Sequence, residues 1–168
     1  MKSYLIIGLE SSCTRLVSKM MALNLGVIDS ISGWDGRDSI SSNDFSVTHR
    51  SLPHGKVGHG RDIVSLEYCK GFDVIIISTR DINCVIESKI KNHQRDKALA
   101  IKENKESIRQ MQKILSNYKN SIVFSYEAAF ILQEYYTKSF LNNLGIKNPI
   151  HVNFNNVNKK YLVGEKND

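Results

Sequence analysis

The chain has few of the residues that staple or interrupt small folds: three cysteines, two prolines and one tryptophan among 168 residues. Cys13, Cys69 and Cys84 form no closely spaced pair, which excludes a disulfide scaffold or zinc ribbon and points to a reducing compartment. The apolar stretch at residues 4–9 is too short for a signal peptide or a membrane span. Nor does Cys13 read as a lipoprotein cysteine, because Glu10, Ser11 and Ser12 precede it where small apolar residues are needed. Internal repeats and low-complexity segments are missing as well. A single cytoplasmic domain over residues 1–168 is the expectation.

What is there suits an ordinary packed domain, with 41% hydrophobic and 24% charged residues. Lys and Arg number 23 against 17 Asp and Glu, a net charge of +6. That surplus asks for an anionic partner such as a nucleotide, a nucleic acid or an acidic sugar. Nucleic acid is disfavoured, because the charge is spread along the chain without aromatic–basic interleaving.

Residues 3–7 form an apolar, β-branched run that reads as a buried strand, ended by Gly8. Ser11, Ser12, Cys13 and Thr14 then supply small residues and capping hydroxyls, and a helical pattern runs from Arg15 to a stop at Gly26. Residues 29–44 read as a long polar surface segment, 45–48 as a short strand and 49–61 as a basic, glycine-rich loop. Asp62 is the expected cap of a short helix ending at Tyr68. Residues 72–78 give the clearest strand, with β-branched residues from Val74 to Ile77. A helix starts near Ile82, and a long charged helix is expected over 96–118 with Ile101, Ile108, Met111, Leu115 and Tyr118 as its apolar stripe. Residues 121–125 form another buried strand, followed by a helix over 128–144 that Gly145 stops. Strands alternating with helices predict a three-layer α/β sandwich around a mainly parallel sheet, with ligands beyond the carboxyl ends of the strands.

The loop from Gly8 to Arg15 fails the Walker A pattern, since Cys13 holds the second glycine position and Thr14 the lysine position. Backbone N–H groups at a helix start still bind phosphate, and Ser or Thr hydroxyls add donors. Arg15 or Lys19 would add charge; a plain serine-capped turn is the competing reading. Arg80 leaves the central strand and Ser88 follows eight residues later. Two helical turns bring that hydroxyl back toward the guanidinium, so the two residues can grip one phosphate. Otherwise Arg80 pairs with Asp81 on the surface and Ser88 is a solvated helix residue.

Taken together, these loops resemble the sulfotransferase superfamily that uses 3′-phosphoadenosine 5′-phosphosulfate. The stretch Gly8-Leu9-Glu10-Ser11-Ser12-Cys13-Thr14-Arg15-Leu16 is similar to its 5′-phosphosulfate loop. Arg80-Asp81 with Ser88 is similar to its 3′-phosphate motif, and Tyr126-Glu127 to a Tyr-Glu pair whose tyrosine lies near the adenine. Leu144-Gly145 falls where that family often has Leu-Gly. The resemblance spans residues 3–28 and 72–146 in consistent order, and implies a P-loop-like fold and a sulfuryl transferase. It implies that Ser11, Ser12, Cys13, Thr14 and Arg15 hold the 5′ end, Arg80 and Ser88 the 3′-phosphate, and Tyr126 the base. The sequence departs from the family at Ser11, where a basic residue is usual, and at Cys13, where glycine is usual.

Sulfuryl transfer to a hydroxyl or amine needs a base for the acceptor proton and positive charge near the transferring group. His54, between Pro53 and Gly55, is the preferred base among His49, His54 and His59, and Arg15 the candidate cation. His93 and His151 read as bystanders. No metal is implied, because the histidine spacing stacks no two imidazoles on one helix face. A carbohydrate is one acceptor class that fits. Trp34 reads as a loop anchor or a stacking platform. The stretch Asn158-Lys159-Lys160-Tyr161 is either a solvated tail or a flap over the nucleotide. The alternatives are a P-loop nucleotide phosphotransferase and a non-catalytic nucleotide-binding module.

Overall fold

A computed structural model describes residues 1–53 and 64–161. His54, Gly55, Lys56, His59, Asp62 and the cap expected of Asp62 lie outside those residues. The described chain forms β1 (Lys2–Leu9), α1 (Thr14–Asn24), β2 (Ser39–Ser41), β3 (Phe45–Leu52), α2 (Leu66–Cys69) and β4 (Val74–Thr79). It continues with α3 (Ile82–His93), α4 (Lys97–Asn117), β5 (Ser121–Ser125) and α5 (Tyr126–Asn143), then a 3-10 turn at Lys159–Tyr161.

One five-stranded sheet has the order β2-β3-β1-β4-β5, parallel throughout except for β2, which runs antiparallel to β3. The central strands are apolar on both faces because both are covered. Tyr4 and Ile6 of β1 join Ile76 and Phe124 beneath Val17, Met20 and Met21 of α1 and Phe140 and Leu141 of α5. Leu5, Ile7, Ile75 and Ile77 point the other way, against Val85 of α3 and Met111 and Ile114 of α4. The expected α/β architecture with a mainly parallel sheet is present, with helices on both faces.

The strand order positions the site. From β1 the chain crosses to β3 on one side, then returns to β4 on the other side of β1. The loops leaving β1 and β4 therefore diverge, and the carboxyl ends of these two strands open a crevice between them. Their register pairs Ile6 with Ile76 and Gly8 with Ser78, so both loops begin at the same level.

Several elements differ from the sequence-based expectation. The strand expected over 45–48 continues as β3 to Leu52, since Gly8 and Leu9 pair in parallel with Ser51 and Leu52. This pairing moves His49 from the expected loop into a strand. The short helix is α2, capped by Ser65, whose hydroxyl accepts from the Tyr68 N–H at 3.0 Å. The segment over 29–44 contains β2. Strand β5, expected to be buried, stands at the sheet edge with Phe124 buried and Val123 exposed. In α4 the buried face is Ala100, Glu103, Asn104, Ser107, Met111 and Ile114, while Leu115 is 39% exposed. The expected stripe holds in part, since Met111 is buried and Ile108 and Tyr118 pack against the same core. The buried face widens to Glu103, which meets the fully buried Lys89 of α3 at 3.3 Å.

The stretch 158–161 is not a solvated tail: Asn158 accepts from Arg80 and Tyr161 is buried. Val152 and Phe154 enter the core, and Ile150 donates its N–H to Asn24 Oδ1 at 2.6 Å. The break in α5 at Gln133 (φ 45°, ψ −118°) accompanies a side chain that bonds the Phe154 backbone on both sides, Nε2 to its carbonyl at 2.9 Å and Oε1 from its N–H at 3.3 Å.

Candidate functional site

Gly8, at the end of β1, has no room for a side chain: a Cβ there would stand 2.4 Å from Ser12 Oγ and 2.5 Å from the Ser78 carbonyl. The loop it opens turns twice through left-handed backbone, at Ser11 (φ 73°) and Cys13 (φ 67°), before α1 begins at Thr14. Non-glycine residues adopt this conformation at a cost of roughly 1–2 kcal/mol each, so the surroundings must hold it. Ser12 donates its N–H to the Leu9 carbonyl at 2.9 Å. The Ser12 carbonyl accepts from Ser78 Oγ at 2.6 Å, tying the loop to β4.

Arg80, just past β4, supplies a second tie. Its Nη1 donates to the Ser11 carbonyl at 2.8 Å, Nε to Asn158 Oδ1 at 2.6 Å and Nη2 to the Val157 carbonyl at 3.2 Å. The guanidinium lies between two rings, 5.3 Å from the centroid of Tyr126 and 5.4 Å from that of Tyr161. Asp81 caps α3 by accepting from the Cys84 N–H at 2.9 Å. Glu127 accepts from the Asp81 N–H and from Asn158 Nδ2, both at 2.9 Å, and so joins the exits of β4 and β5 to the chain end.

Ser88 and Arg80 line the same cleft without a bond between them among the described contacts. Ser88 is buried, and its hydroxyl accepts from Asn92 Nδ2 at 2.9 Å and from the Tyr161 hydroxyl at 3.1 Å. Burial raises the Tyr161 phenol, but its hydrogen bonds with Ser88, Lys160 and Asn92 outweigh this and hold it below its ordinary value. Tyr126 is fully buried and its hydroxyl is occupied, donating to the Asn155 carbonyl and accepting from the Val157 N–H at 2.8 Å. Its ring supports Arg80 from within the core. Burial pushes the Cys13 thiol up to about 11, against the lowering charge of Arg80.

These groups enclose a cleft of about 440 Å³, within the range of small-ligand sites. Ser11, Cys13, Thr14, Arg15, Arg80 and Ser88 line it together; Ser12 faces inward and Tyr126 lies behind. Four residues singled out only weakly or not at all by the sequence also line it: Arg37, Asn92, Lys160 and Tyr161. Two histidines join them. His49, nearly buried on β3, has Nε2 at 2.9 Å from Thr14 Oγ1 and 3.4 Å from Ser51 Oγ. His93, expected as a bystander, stands at the end of α3 with Nδ1 3.8 Å from Glu10 Oε1. His151 bonds Thr137 and Asn153 instead, outside the cleft. Among the described residues no three metal-ligating side chains converge, and no helix is long and apolar enough to cross a membrane.

The lining of the cleft is predominantly cationic and hydroxyl-bearing, with Glu10 its one carboxylate among the described residues. Arginine and lysine side chains lie on its walls, and a helix start and hydroxyls lie at one end. No protein-family model, curated protein or solved structure matches the chain.

Proposed function

We propose that the chain is a sulfotransferase-like enzyme that moves a sulfuryl group from 3′-phosphoadenosine 5′-phosphosulfate to a hydroxyl or amine acceptor. The observation that carries this reading is the contact of Arg80 with the Ser11 carbonyl at 2.8 Å, in a cleft that Ser88 also lines. It puts the two loops that resemble the 5′ and 3′ anion motifs side by side, within reach of one adenylate ligand. The loop from Ser11 to Thr14 receives the 5′ end. Arg80 and Ser88 receive the 3′-phosphate, and Tyr126 sets the plane of the Arg80 guanidinium. Lys160 and Tyr161, folded back over this end, exclude water from it.

In the reaction the acceptor oxygen or nitrogen forms a bond to sulfur in line with the departing 5′-phosphate oxygen. The sulfur–oxygen bond to the phosphate breaks and its electron pair leaves with adenosine 3′,5′-bisphosphate. The acceptor proton passes to a base, for which His54 is the candidate from the sequence. Developing charge on the transferring group is offset by the α1 N-terminus and Arg15.

Thermal shift with adenosine 3′,5′-bisphosphate, ATP–magnesium and a generic oligonucleotide tests the reading. The bisphosphate at 100 Kd stabilises by about 2.7 kcal/mol, more than equal concentrations of the others. Stronger stabilisation by ATP with magnesium would instead support a phosphotransferase.

A further inference from the structure

The donor reading leaves one cation of the cleft, Arg37, without a role, and the structure pairs it with Arg15. Arg15 and Arg37 both line the cleft, and neither is among the partners of the Arg80 guanidinium, which are Asn158, Ser11 and Val157. A short turn holds them as a pair. Arg15 sends Nε and Nη2 to one acceptor, the Asp35 carbonyl, at 3.1 and 3.0 Å. The Asp35 carboxylate takes the Arg37 N–H at 2.9 Å and lies 3.4 Å from Arg37 Nε and 3.9 Å from Arg15 Nη2. Gly36 makes this possible: its φ is +79°, and a Cβ there would stand 2.5 Å from the Arg15 carbonyl. The turn therefore sits directly on the first turn of α1, and its position is fixed by packing.

One carboxylate serves two guanidinium groups, so the pair keeps a net positive charge. Among the described residues, the two terminal nitrogens of Arg37 have no hydrogen-bond partner, and Arg15 Nη1 has none either. Asp35 itself does not line the cleft, and the carboxylate that does, Glu10, stands beside His93. What faces the open volume from this wall is a planar fork of N–H donors, the shape that recognises a carboxylate or sulfate. A pair placed beside the 5′ loop but outside the Arg80–Ser88 end faces the space where an acceptor must lie.

We propose that Arg15 and Arg37 form an oxyanion subsite for the acceptor, so that the acceptor carries a carboxylate or a sulfate besides the group that is sulfated. This rests on the sulfotransferase reading above, because that reading assigns the rest of the cleft to the donor. Arg15 borders both compartments, and Arg37 belongs to the acceptor side alone.

The test uses the whole chain and has two stages. Adenosine 3′,5′-bisphosphate is first titrated alone. The saturated protein is then titrated with glucuronate, glucose 6-sulfate and glucose, followed by amide chemical shifts. At least tenfold tighter binding of both charged sugars than of glucose is expected, weakening as salt rises. Preference for one charged sugar alone identifies carboxylate or sulfate as the group recognised. Arg37→Gln is expected to lower the charged sugars' affinity at least tenfold while bisphosphate affinity stays within twofold, which also shows that the variant is folded. Equal binding of the three sugars, or charged-sugar affinity unchanged in Arg37→Gln, would overturn the subsite and leave the donor reading standing. Failure of the bisphosphate to bind in the first stage would overturn the donor reading and the acceptor assignment with it.

Discussion

Replacing Arg80 by alanine separates the duty seen in the structure, holding the crevice together, from the one proposed for it, gripping phosphate. The side chain makes three hydrogen bonds, to Ser11, Asn158 and Val157, and lies between the rings of Tyr126 and Tyr161. With about 1 kcal/mol net for each bond and about 0.5 kcal/mol for each ring contact at a half-buried position, the loss is about 4 kcal/mol. That is a large share of a total stability of about 5–15 kcal/mol. Urea unfolding reads it as a lower midpoint at unchanged slope. The second duty is read with ligand. Losing charge-assisted bonds to phosphate worth about 2.7 kcal/mol weakens the bisphosphate about a hundredfold. A concentration that stabilises the native protein by about 2.7 kcal/mol then stabilises Arg80→Ala by only about 0.4 kcal/mol. Arg80→Lys keeps the charge without the fork, so it regains part of the ligand effect and less of the stability. The reasoning is refuted if Arg80→Ala loses under about 1 kcal/mol, or if its bisphosphate stabilisation matches that of the native chain.

Three further outcomes follow from the same geometry. Gly8→Ala is expected to cost at least about 2 kcal/mol and to weaken bisphosphate binding, because its methyl group meets the Ser78 carbonyl backbone; a full-length thermal melt within 2 °C of the native one would contradict this. The Cys13 thiol, held at about 11 against an ordinary 9.0 chiefly by burial, favours the folded state while neutral. Its contribution is complete below pH 9 and fades as pH rises toward 11, so Cys13→Ala should flatten part of the alkaline stability loss, and iodoacetamide should label Cys13 slowly at pH 8. His54→Ala is expected to lower turnover by about 10²–10⁴, measured by transfer of radiolabelled sulfate; an effect within about threefold would remove His54 as the base.

The elements that were legible were those whose own residues decide them. β4 and β5 are written in β-branched runs, and α3 and α4 begin within a residue of where the sequence places them. Arg80 and Ser88 were legible because their separation is a property of one helix. What was hidden depends on partners distant in sequence. His49-Arg50-Ser51-Leu52 is polar enough to read as loop and becomes strand only by pairing with the end of β1. His93 reaches the cleft because the end of α3 meets Glu10 from another loop. In α4 Ile108, Met111 and Tyr118 of the visible stripe reach the core, but the buried Glu103 beside them was hidden, because its partner Lys89 stands on α3. Tyr161 bonds Ser88 from 73 positions away, and only the tertiary course of the chain end brings it there.

The departures at Ser11 and Cys13 take on a different weight once the loop's supports are considered. Glycine at position 13 would adopt the left-handed backbone freely, whereas Cys13 adopts it at φ 67° only because something else holds the loop. That support comes from β4: Ser78 Oγ on the Ser12 carbonyl and Arg80 Nη1 on the Ser11 carbonyl. The same guanidinium brings positive charge to the residue where a basic side chain is usual in the family the loop resembles. Loop shape and loop charge, normally written into the loop itself, are both supplied here from the neighbouring strand's exit. A loop so supported holds its left-handed turns without glycine, and the binding proposed for it then depends on Arg80 more than on any side chain of its own.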